Sequence, residues 1–417
     1  MNTPRVFLTA AQLIDPEGGT IADCGVVIEG ETVLWVGPRT DLPAEFGGLQ
    51  QSDLGDVTLL PGLIDAHVHL SLGTEPAYSE GSSTMASDDD ELATMLASAR
   101  ELVEAGVTTA RDLGGRGYLA LRARDAVDAG ESVGPRILAA GPPLTPPRGH
   151  CWFLGGEVDG AEDAVTLVQS HVTAGVDVIK VMATGGFLTP GTTPWDASFD
   201  ETTLKAIVVE SHRLGRLVAA HCHGIEGIRQ ALAAGVDTLE HCSFVEEGGG
   251  SAVDHELMDA IVVSGAYVSP TMNADARLLM SQGWKPPVVE LWRRGARVIA
   301  STDAGIPGTP HRDYVFALEA LVDAGIPDRD VLVAATVTAA EALGLNGVTG
   351  RIVAGYTADI IAVDGDPSVD IRALHNLQFV MARGRIVPVP VQRGGQLPRI
   401  DDPDDVTLDA SIATYPQ

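Results

Sequence analysis

Residues 63–70 read LIDAHVHL, an apolar run typical of a buried strand that nevertheless contains two histidines, His67 and His69. Because side chains alternate along a strand, both imidazoles face the same side. One such pair is compatible with simple packing as well as with half of a metal site. The meaning of this stretch therefore depends on whether similar runs recur along the chain.

Seven further apolar runs resemble this one, and each is followed by a segment of helical periodicity. Most of the runs come after a segment that ends in glycine, which favours the left-handed conformation at a helix C-terminus. Eight parallel strands alternating with helices predict an α/β fold, a (β/α)8 TIM barrel over residues 59–345. The runs are 63–70, 107–114, 136–141, 177–183, 216–224, 237–242, 266–271 and 297–305.

Short β segments with alternating apolar and polar residues occupy both ends of the chain and turn at glycine-rich points. We therefore predict a small β-sandwich domain built from residues 1–58 and 346–417. Its last stretch, residues 399–417, is acidic and weakly patterned, so we predict a surface tail there.

The composition indicates a large globular protein and excludes some partners. Of 417 residues, 45% are hydrophobic, so a sizeable buried core is expected. The formal net charge is −30, whereas nucleic acids and anionic membrane surfaces attract basic proteins, so we expect neither as a partner. No run approaches the roughly 20 apolar residues of a membrane span, and we expect no signal peptide.

The four cysteines predict a reducing compartment. Cys24, Cys151, Cys222 and Cys242 show no CxxC spacing and no pattern of a disulfide framework. We expect reduced thiols in a cytoplasmic protein.

Polar side chains that can bind metals stand at the ends of five of the eight predicted strands. The carboxyl ends of barrel strands meet at one face, so these side chains should converge. Imidazole and carboxylate together suit zinc-like divalent ions, with a position open for water. The candidates are His67, His69, Lys180, His221, His223, His241 and Asp303.

Taken alone, each candidate also has a purely structural explanation. Asp303 could cap the following helix, and His241 could be a hydrogen-bonded core residue. Lys180 could extend towards solvent or form a salt bridge, although its phase within an apolar strand makes an unengaged amine unfavourable. The joint placement of the candidates at equivalent strand ends favours the metal site.

These motifs together resemble the amidohydrolase superfamily of metal-dependent hydrolases, nearly from end to end. LLPGLIDAHVHL (59–70) resembles the first-strand signature of that superfamily, and TGRIVAGYTADIIAVDGDP (349–367) resembles its return to the small β domain. VIKVMATGG, VAAHCHG, GVDTLEHC and STDAG are most similar to the branch with Xaa-Pro dipeptidase-like, carboxypeptidase-like and imidazolonepropionase-related enzymes.

The resemblance implies a site for two divalent metal ions, with Zn²⁺ as the expected metal. His67, His69 and Asp303 would bind the more buried ion, and His221 and His241 the second. Lys180 would be carboxylated by carbon dioxide and bridge both ions. Other branches use a glutamate or keep a single metal, so the lysine favours the two-metal version.

The expected activity is hydrolysis of an amide-type C–N bond in a small molecule such as a dipeptide or an N-acyl amino acid. A metal-bridging hydroxide would attack the carbonyl carbon, with Asp303 as general base and then acid. An alternative is that the same site hydrolyses a cyclic amide, carbamate, urea, lactone or other ester. A binding protein without catalysis is disfavoured because all six ligand positions are filled. The resemblance is also compatible with a homo-oligomer.

Substrate contacts are expected from the loops that follow the strands. His150, after the third strand, resembles a family histidine that bonds the substrate carbonyl, with a solvent-exposed loop histidine as an equal alternative. His223 is expected to contact the substrate or support a ligand. Aromatic contacts are expected from loops 73–90, 184–198 and the vicinity of His150, unless these side chains only pack their loops: Tyr78, Phe187, Trp195 and Trp152.

Cys222 and Cys242 each follow a candidate ligand histidine, so a role as metal ligands is an alternative for both thiols. Alternation along a strand places both thiols on the opposite face, where a thiol packs as a small apolar group. We therefore predict packing for both.

Overall fold

The computed structural model describes residues 5–71, 87–248 and 250–389. Within these ranges the strands are β1 (Arg5–Asp15), β2 (Gly19–Glu29), β3 (Thr32–Pro38), β4 (Gln51–Asp53), β5 (Thr58–Pro61), β6 (Leu63–Val68), β7 (Val107–Asp112), β8 (Arg136–Ala139), β9 (Val178–Met182), β10 (Leu217–Gly224), β11 (Thr238–Val245), β12 (Tyr267–Ser269), β13 (Arg297–Val298), β14 (Ile360–Val363), β15 (Leu377–Ala382) and β16 (Arg385–Val387).

Most of the helices lie between the strands of the central part of the chain. They are α1 (Asp88–Glu104), α2 (Leu119–Asp128), α3 (Ala161–Ala174), α4 (Glu201–Arg213), α5 (Ile225–Ala234), α6 (His255–Ser264), α7 (Ala274–Ser281), α8 (Pro287–Arg293), α9 (Tyr314–Ala324), α10 (Asp328–Ala334) and α11 (Val337–Ala342). None of these described helices combines the length and the apolar character that a membrane span requires.

The eight apolar runs of the central region each coincide in large part with a strand or its start, β6 to β13, so the predicted α/β alternation is confirmed. The strands pair in parallel within two sheets, one with the order β6–β7–β8 and the other with the order β13–β12–β11–β10–β9. Parallel strands need long crossover connections, and the helices between them provide these. The carboxyl ends of the strands of each sheet therefore lie at one edge.

Backbone hydrogen bonds connect the two parallel sheets at both of their edges. Past β8, the N–H of Leu144 donates to the carbonyl oxygen of Lys180 in β9, with an N–O distance of 2.9 Å. Past β6, the N–H of His69 donates to the carbonyl oxygen of Ala304, at 2.7 Å. The segment after β13 therefore runs beside β6, so the first and last of the eight strands are neighbours.

Strands from both ends of the chain form one sheet with the order β16–β15–β14–β5–β1–β2–β3, and β4 pairs with β1. Leu8 in β1 packs in one apolar cluster and Phe7 in another, because neighbouring side chains of a strand face opposite sides. The sheet includes β5, so it extends past residue 58, where we expected the β domain to end. The β-sandwich and its boundaries stay predictions, and the predicted tail at 399–417 lies outside the described residues.

Glycines end the helices that precede several strands, as the sequence indicated. Gly175 and Gly235 are the C-terminal caps of α3 and α5, with φ of 98° and 89°. Gly106, Gly215 and Gly295 also have positive φ, at 88°, 73° and 96°. Because other residues adopt this conformation only with strain, these glycines allow each helix to turn directly into the next strand.

Candidate metal centre

The first ligand group, His67, His69 and Asp303, lies where β6 meets the segment after β13. The Nε2 atoms of the two histidines lie 3.4 Å and 3.2 Å from Oδ1 of Asp303. The N–H of Asp303 donates to the carbonyl oxygen of His67 at 2.9 Å, which holds the two segments in register. Residues from the first and the last of the eight predicted barrel strands are thereby brought together.

The second ligand group consists of His221 and His223 from β10 and His241 from β11. Their nearest ring nitrogens all lie within 4.8 Å of one another. The rings of His221 and His241 are 4.5 Å apart between centroids, and those of His223 and His241 are 4.4 Å apart. The ring of His241 also lies 5.2 Å from that of His67, so the two ligand groups are adjacent.

Lys180 projects from β9 into the same region and is fully buried. Its Nζ atom has no hydrogen-bond partner among the described residues. Burial lowers the pKa of this amine, although Glu240 and Asp303 oppose the shift. A buried lysine is unfavourable unless its amine is engaged, so its position indicates a partner that the protein chain does not supply.

The histidines of the two groups each use one ring nitrogen to bond the protein, which leaves the other for the centre. Burial lowers the pKa of His67 to about 4 and that of His223 to about 3, so both rings are neutral near pH 7 and retain a lone pair. The protein partners are Glu240 for His67, Gly114 O for His69, Gly185 O for His221, Ser243 Oγ for His223 and Thr271 Oγ1 for His241.

The donor set fits divalent cations. The Nδ1 atom of His67 faces a carboxylate at 2.9 Å and must carry the ring proton, so Nε2 presents a lone pair to Asp303 Oδ1. Two lone pairs at 3.4 Å repel each other unless a cation lies near both. Imidazole nitrogen and carboxylate oxygen are also the ligands that zinc-like ions favour. The orphaned amine of Lys180 leads to the same interpretation.

Three buried ionisable residues lie directly behind the ligands and were missed by the sequence analysis. Arg111 and Glu240 form an ion pair at 2.8 Å that contacts His67. Asp65 accepts hydrogen bonds from the N–H of His67 at 3.2 Å and from Oγ1 of Thr302 at 2.6 Å, and burial raises its pKa to about 7. Charged residues within apolar strands, the signal that identified Lys180, could have revealed them.

A cavity of about 540 Å³ opens onto the two ligand groups. Much of its wall is apolar and comes from residues 270–288, the long segment between β12 and β13 that contains α7. The sequence analysis did not predict this wall. A long segment that follows a strand and contains a tryptophan, Trp284, could have indicated it. Its larger apolar residues are Met272, Leu279, Trp284 and Val288.

The model of the amidohydrolase family matches residues 58–391. The chain belongs to the amidohydrolase family. This confirms the resemblance noted in the motifs, and it shows that the protein is an enzyme, a hydrolase that acts on C–N bonds.

Individual relatives support the same assignment. The amidohydrolase is 28% identical to ochratoxinase of Aspergillus niger, in an alignment that covers 90% of this chain and 84% of that protein. It is 24% identical to imidazolonepropionase of Ruegeria pomeroyi, with 84% of this chain and 88% of that protein covered. A crystal structure of a Xaa-Pro dipeptidase with methionine bound in the active site superimposes with a TM-score of 0.80 at 26% identity, covering 92% of this chain and 100% of that one.

Three of the expected substrate contacts of the amidohydrolase line the cavity: His150, Phe187 and His223. The ring of His150 is buried and lies 4.6 Å from that of His221, and burial lowers its pKa to about 4. It is therefore a buried neutral imidazole and not a solvent-exposed loop histidine. The ring of Phe187 lies 5.0 Å from that of His223, so both can contact one bound molecule.

The two predicted tryptophan contacts are not among the described residues that line this cavity. The ring of Trp152 lies against the guanidinium of Arg148, 5.4 Å from its carbon atom. The backbone of Trp195 approaches Gly224 so closely that a Cβ at residue 224 would lie 2.5 Å from its carbonyl oxygen. Tyr78, the remaining predicted contact, lies outside the described residues.

The thiols of Cys222 and Cys242 are buried in the main apolar core of the amidohydrolase, as alternation along the strands predicted. Burial raises the pKa of both thiols, so they stay protonated. A protonated thiol is a poor metal ligand, which is consistent with packing.

Proposed function

We propose that this amidohydrolase is a binuclear metal-dependent enzyme that cleaves an amide-type C–N bond. The observation that supports the proposal most strongly is the buried Nζ atom of Lys180, which has no hydrogen-bond partner among the described residues. This amine interacts electrostatically with His67 and Asp303 of the first ligand group and with His221 and His241 of the second. A buried amine that needs a partner and lies beside both ligand groups is suited, once it is carboxylated, to bridge two ions.

The proposed architecture is a closed (β/α)8 barrel that carries a small β-sandwich domain. The hydrogen bonds at both edges of the two parallel sheets support closure, and the single sheet formed by both chain ends supports the composite domain. In this arrangement the site lies at the carboxyl ends of the barrel strands, the usual place for an active site in such a barrel. The cytoplasmic location and a homo-oligomeric state stay predictions.

The proposed ligands come from the two groups, with Zn²⁺ as the proposed metal and with His223 proposed to contact the substrate or support a ligand. His67, His69 and Asp303 would hold the first ion, and His221 and His241 the second. Lys180 would hold both after its neutral amine adds to the carbon of carbon dioxide and loses a proton, which forms an anionic carbamate with two ligand oxygens. Burial supports this step because it lowers the pKa of the amine.

The proposed reaction adds water across the C–N bond to give an acid and an amine. Two bound ions would supply a hydroxide at neutral pH and polarise the carbonyl oxygen. Burial opposes charge on Asp303, but His67 and His69 hold the pKa of this carboxyl below its usual range, so it is ionised, which is the form that a general base requires. Asp303 would then deliver that proton to the leaving nitrogen. His150, at the cavity wall, would donate a hydrogen bond to the carbonyl oxygen.

The apolar wall of the cavity favours substrates with a bulky apolar group on one side of the scissile bond. Similarity to a Xaa-Pro dipeptidase supports dipeptides and N-acyl amino acids as the first class to test. Similarity to an imidazolonepropionase supports the inclusion of cyclic amides. Carbamates, ureas, lactones and other esters complete the set of alternatives.

The proposal is tested by incubating the zinc-loaded protein with a library of these compounds and measuring product release. We expect hydrolysis of at least one amide with a bulky apolar group, and no measurable hydrolysis by Asp303→Asn. If protein with two bound ions hydrolyses no member of the library, the proposed substrate classes are wrong. If Asp303→Asn is as active as the wild type, the proposed role of this carboxylate is wrong.

A further inference from the structure

Glu240 connects the two ligand groups from behind. It precedes His241 in β11, yet its carboxylate points towards the other group, where Oε2 lies 2.9 Å from Nδ1 of His67. Its second oxygen, Oε1, accepts a hydrogen bond from Nη2 of Arg111 at 2.8 Å. The side chains of all three residues are almost inaccessible to solvent.

Arg111 is itself held in place by the strands around it. From β7, its Nε donates to the carbonyl oxygen of Ala66 in β6 at 2.7 Å. Its Nη1 donates to Oγ1 of Thr238 in β11 at 3.2 Å. Because the guanidinium group is planar and rigid, these bonds fix where it meets Glu240. Three strands therefore define the position of one carboxylate.

The charge on Glu240 determines which nitrogen of His67 carries the proton. Oε1 of Glu240 accepts hydrogen bonds from the guanidinium of Arg111 and from the hydroxyl of Thr238, so the carboxylate is paired with a permanent cation and is held as an anion. An ionised carboxylate can only accept hydrogen bonds, so Nδ1 of His67 must donate. The lone pair then lies on Nε2, the atom that faces Asp303. In the other four histidines of the two ligand groups, the ring nitrogen that bonds the protein faces an uncharged oxygen, such as Gly114 O for His69.

We infer that the Arg111–Glu240 pair is a positioning device for His67: it fixes the Nδ1-protonated tautomer and the ring orientation, and thereby raises the affinity of the first ligand group for a divalent ion. The inference rests on the proposed function because it assigns a metal to that group. Neither Arg111 nor Glu240 lines the substrate cavity, so both act through His67. A carboxylate partner increases the basicity of a ligand imidazole, which is the physical source of the added affinity.

Glu240→Gln tests the inference with little change in size. The amide oxygen can still accept from Arg111, and the amide N–H then faces Nδ1 of His67 and favours the opposite tautomer. Binding of Co²⁺ is followed by its visible absorption. In Glu240→Gln we expect one of the two ions to bind about 10- to 100-fold more weakly than in the wild type, and the affinity for the other ion to be unchanged. Equal affinities in wild type and variant would overturn the inference.

The tautomer can be measured without any metal. In ¹⁵N-histidine-labelled metal-free protein, correlation spectra should show His67 protonated at Nδ1 in the wild type and no longer so in Glu240→Gln. The signal is assigned with His67→Asn. A wild-type ring protonated at Nε2, or an unchanged ring in the variant, would contradict the inference. This measurement keeps the two claims separable, because a wild type that binds no Co²⁺ refutes the proposed metal site alone.

Asp359→Asn is a matched control. Asp359 is another fully buried carboxylate, and it accepts hydrogen bonds from Thr349 Oγ1 and from the N–H of Arg383 within the region that follows the barrel. The control should retain Co²⁺ affinity and the His67 tautomer, and equal weakening there would contradict a specific role. If Glu240→Gln does not fold, Thr238→Val removes one contact to Oε1 and should give a smaller weakening in the same direction.

Discussion

Nε2 of His67 lies 3.4 Å from Oδ1 of Asp303, although the two residues belong to the first and the last of the eight predicted barrel strands. Neither atom carries a proton when His67 is protonated at Nδ1, so the contact is repulsive for the protein chain alone. A shared divalent cation would make it attractive. This relationship connects the fold to the proposed chemistry, because only the pairing of the first strand with the last creates it.

Replacing Lys180 by alanine should remove the ligand proposed to bridge the two ions. We expect hydrolysis to fall by at least about 100-fold, more than is typical for loss of a ligand's supporting partner. Added formate or propionate should restore part of the rate, since either supplies a carboxylate. Lys205→Ala is the control, because Nζ of Lys205 donates a hydrogen bond to the carbonyl oxygen of Ala234 and Lys205 is not among the described residues that line the cavity. Full activity in Lys180→Ala would contradict the bridging role.

His150→Ala should slow the chemical step without removing metal. A donor aimed at the developing negative charge of the carbonyl oxygen contributes about 100-fold or more to kcat. We expect kcat to fall by about that factor, with zinc content at the wild-type level. Both kcat and zinc content must be measured, because the His150 ring lies close to that of His221, a proposed metal ligand. Unchanged kcat would show that His150 only lines the cavity.

Leu279 and Leu278 provide a matched pair for the apolar wall. Both side chains are partly exposed, at 37% and 46%, but Leu279 lines the cavity whereas Leu278 is not among its described lining residues. Leu279→Ala should reduce kcat/KM for a substrate with a bulky apolar group about tenfold, as expected for loss of a few methylene contacts. A small acyl substrate should be little affected. Equal effects of Leu279→Ala and Leu278→Ala would argue against the wall as a specificity element.

The strands and the convergence of the candidate ligand residues could be predicted because they depend on local patterns. His67, His69 and Lys180 interrupt apolar strands in a fixed phase, and phase alone assigns each to the interior face. Arg111 and Glu240 carry the same local signal, but their importance comes from a contact with His67 across three strands, which no single segment encodes. Only the structure shows that Glu240 contacts His67 and that Arg111 contacts Glu240.

Loop residues were harder to predict for a different reason. The aromatic character of Trp152 and Trp195 suggested apolar contacts, but it says nothing about the path of an irregular segment. The structure turns the Trp152 ring towards Arg148 and packs the Trp195 backbone against Gly224. Residues 270–288, for which no substrate contact was predicted, supply much of the wall instead.

His171 should make the folded protein less stable in mild acid. Its buried ring donates from Nε2 to the carbonyl oxygen of Pro142 and accepts at Nδ1 from the hydroxyl of Tyr118. Burial lowers the pKa of His171 in the folded state, whereas the unfolded chain has the ordinary value of about 6.5. Below that pH the unfolded state binds the proton more readily, so the free energy of unfolding falls as the pH falls.

The measurement compares wild type with His171→Gln in urea unfolding between pH 7.5 and pH 5. The variant cannot be protonated at this position, so its free energy of unfolding should decline less steeply below about pH 6.5. Other buried histidines contribute to the decline in both proteins, and the difference in slope isolates His171. Parallel curves would show that protonation of His171 does not limit stability.

The metal content of the active enzyme tests the central claim most directly. Elemental analysis of purified protein, paired with the hydrolysis rate of the same sample, should find about two divalent ions per chain, the number proposed from the two ligand groups. Removal of the ions by a chelator should abolish hydrolysis, and added Zn²⁺ should restore it. Full activity in protein that holds no divalent ion would contradict the account.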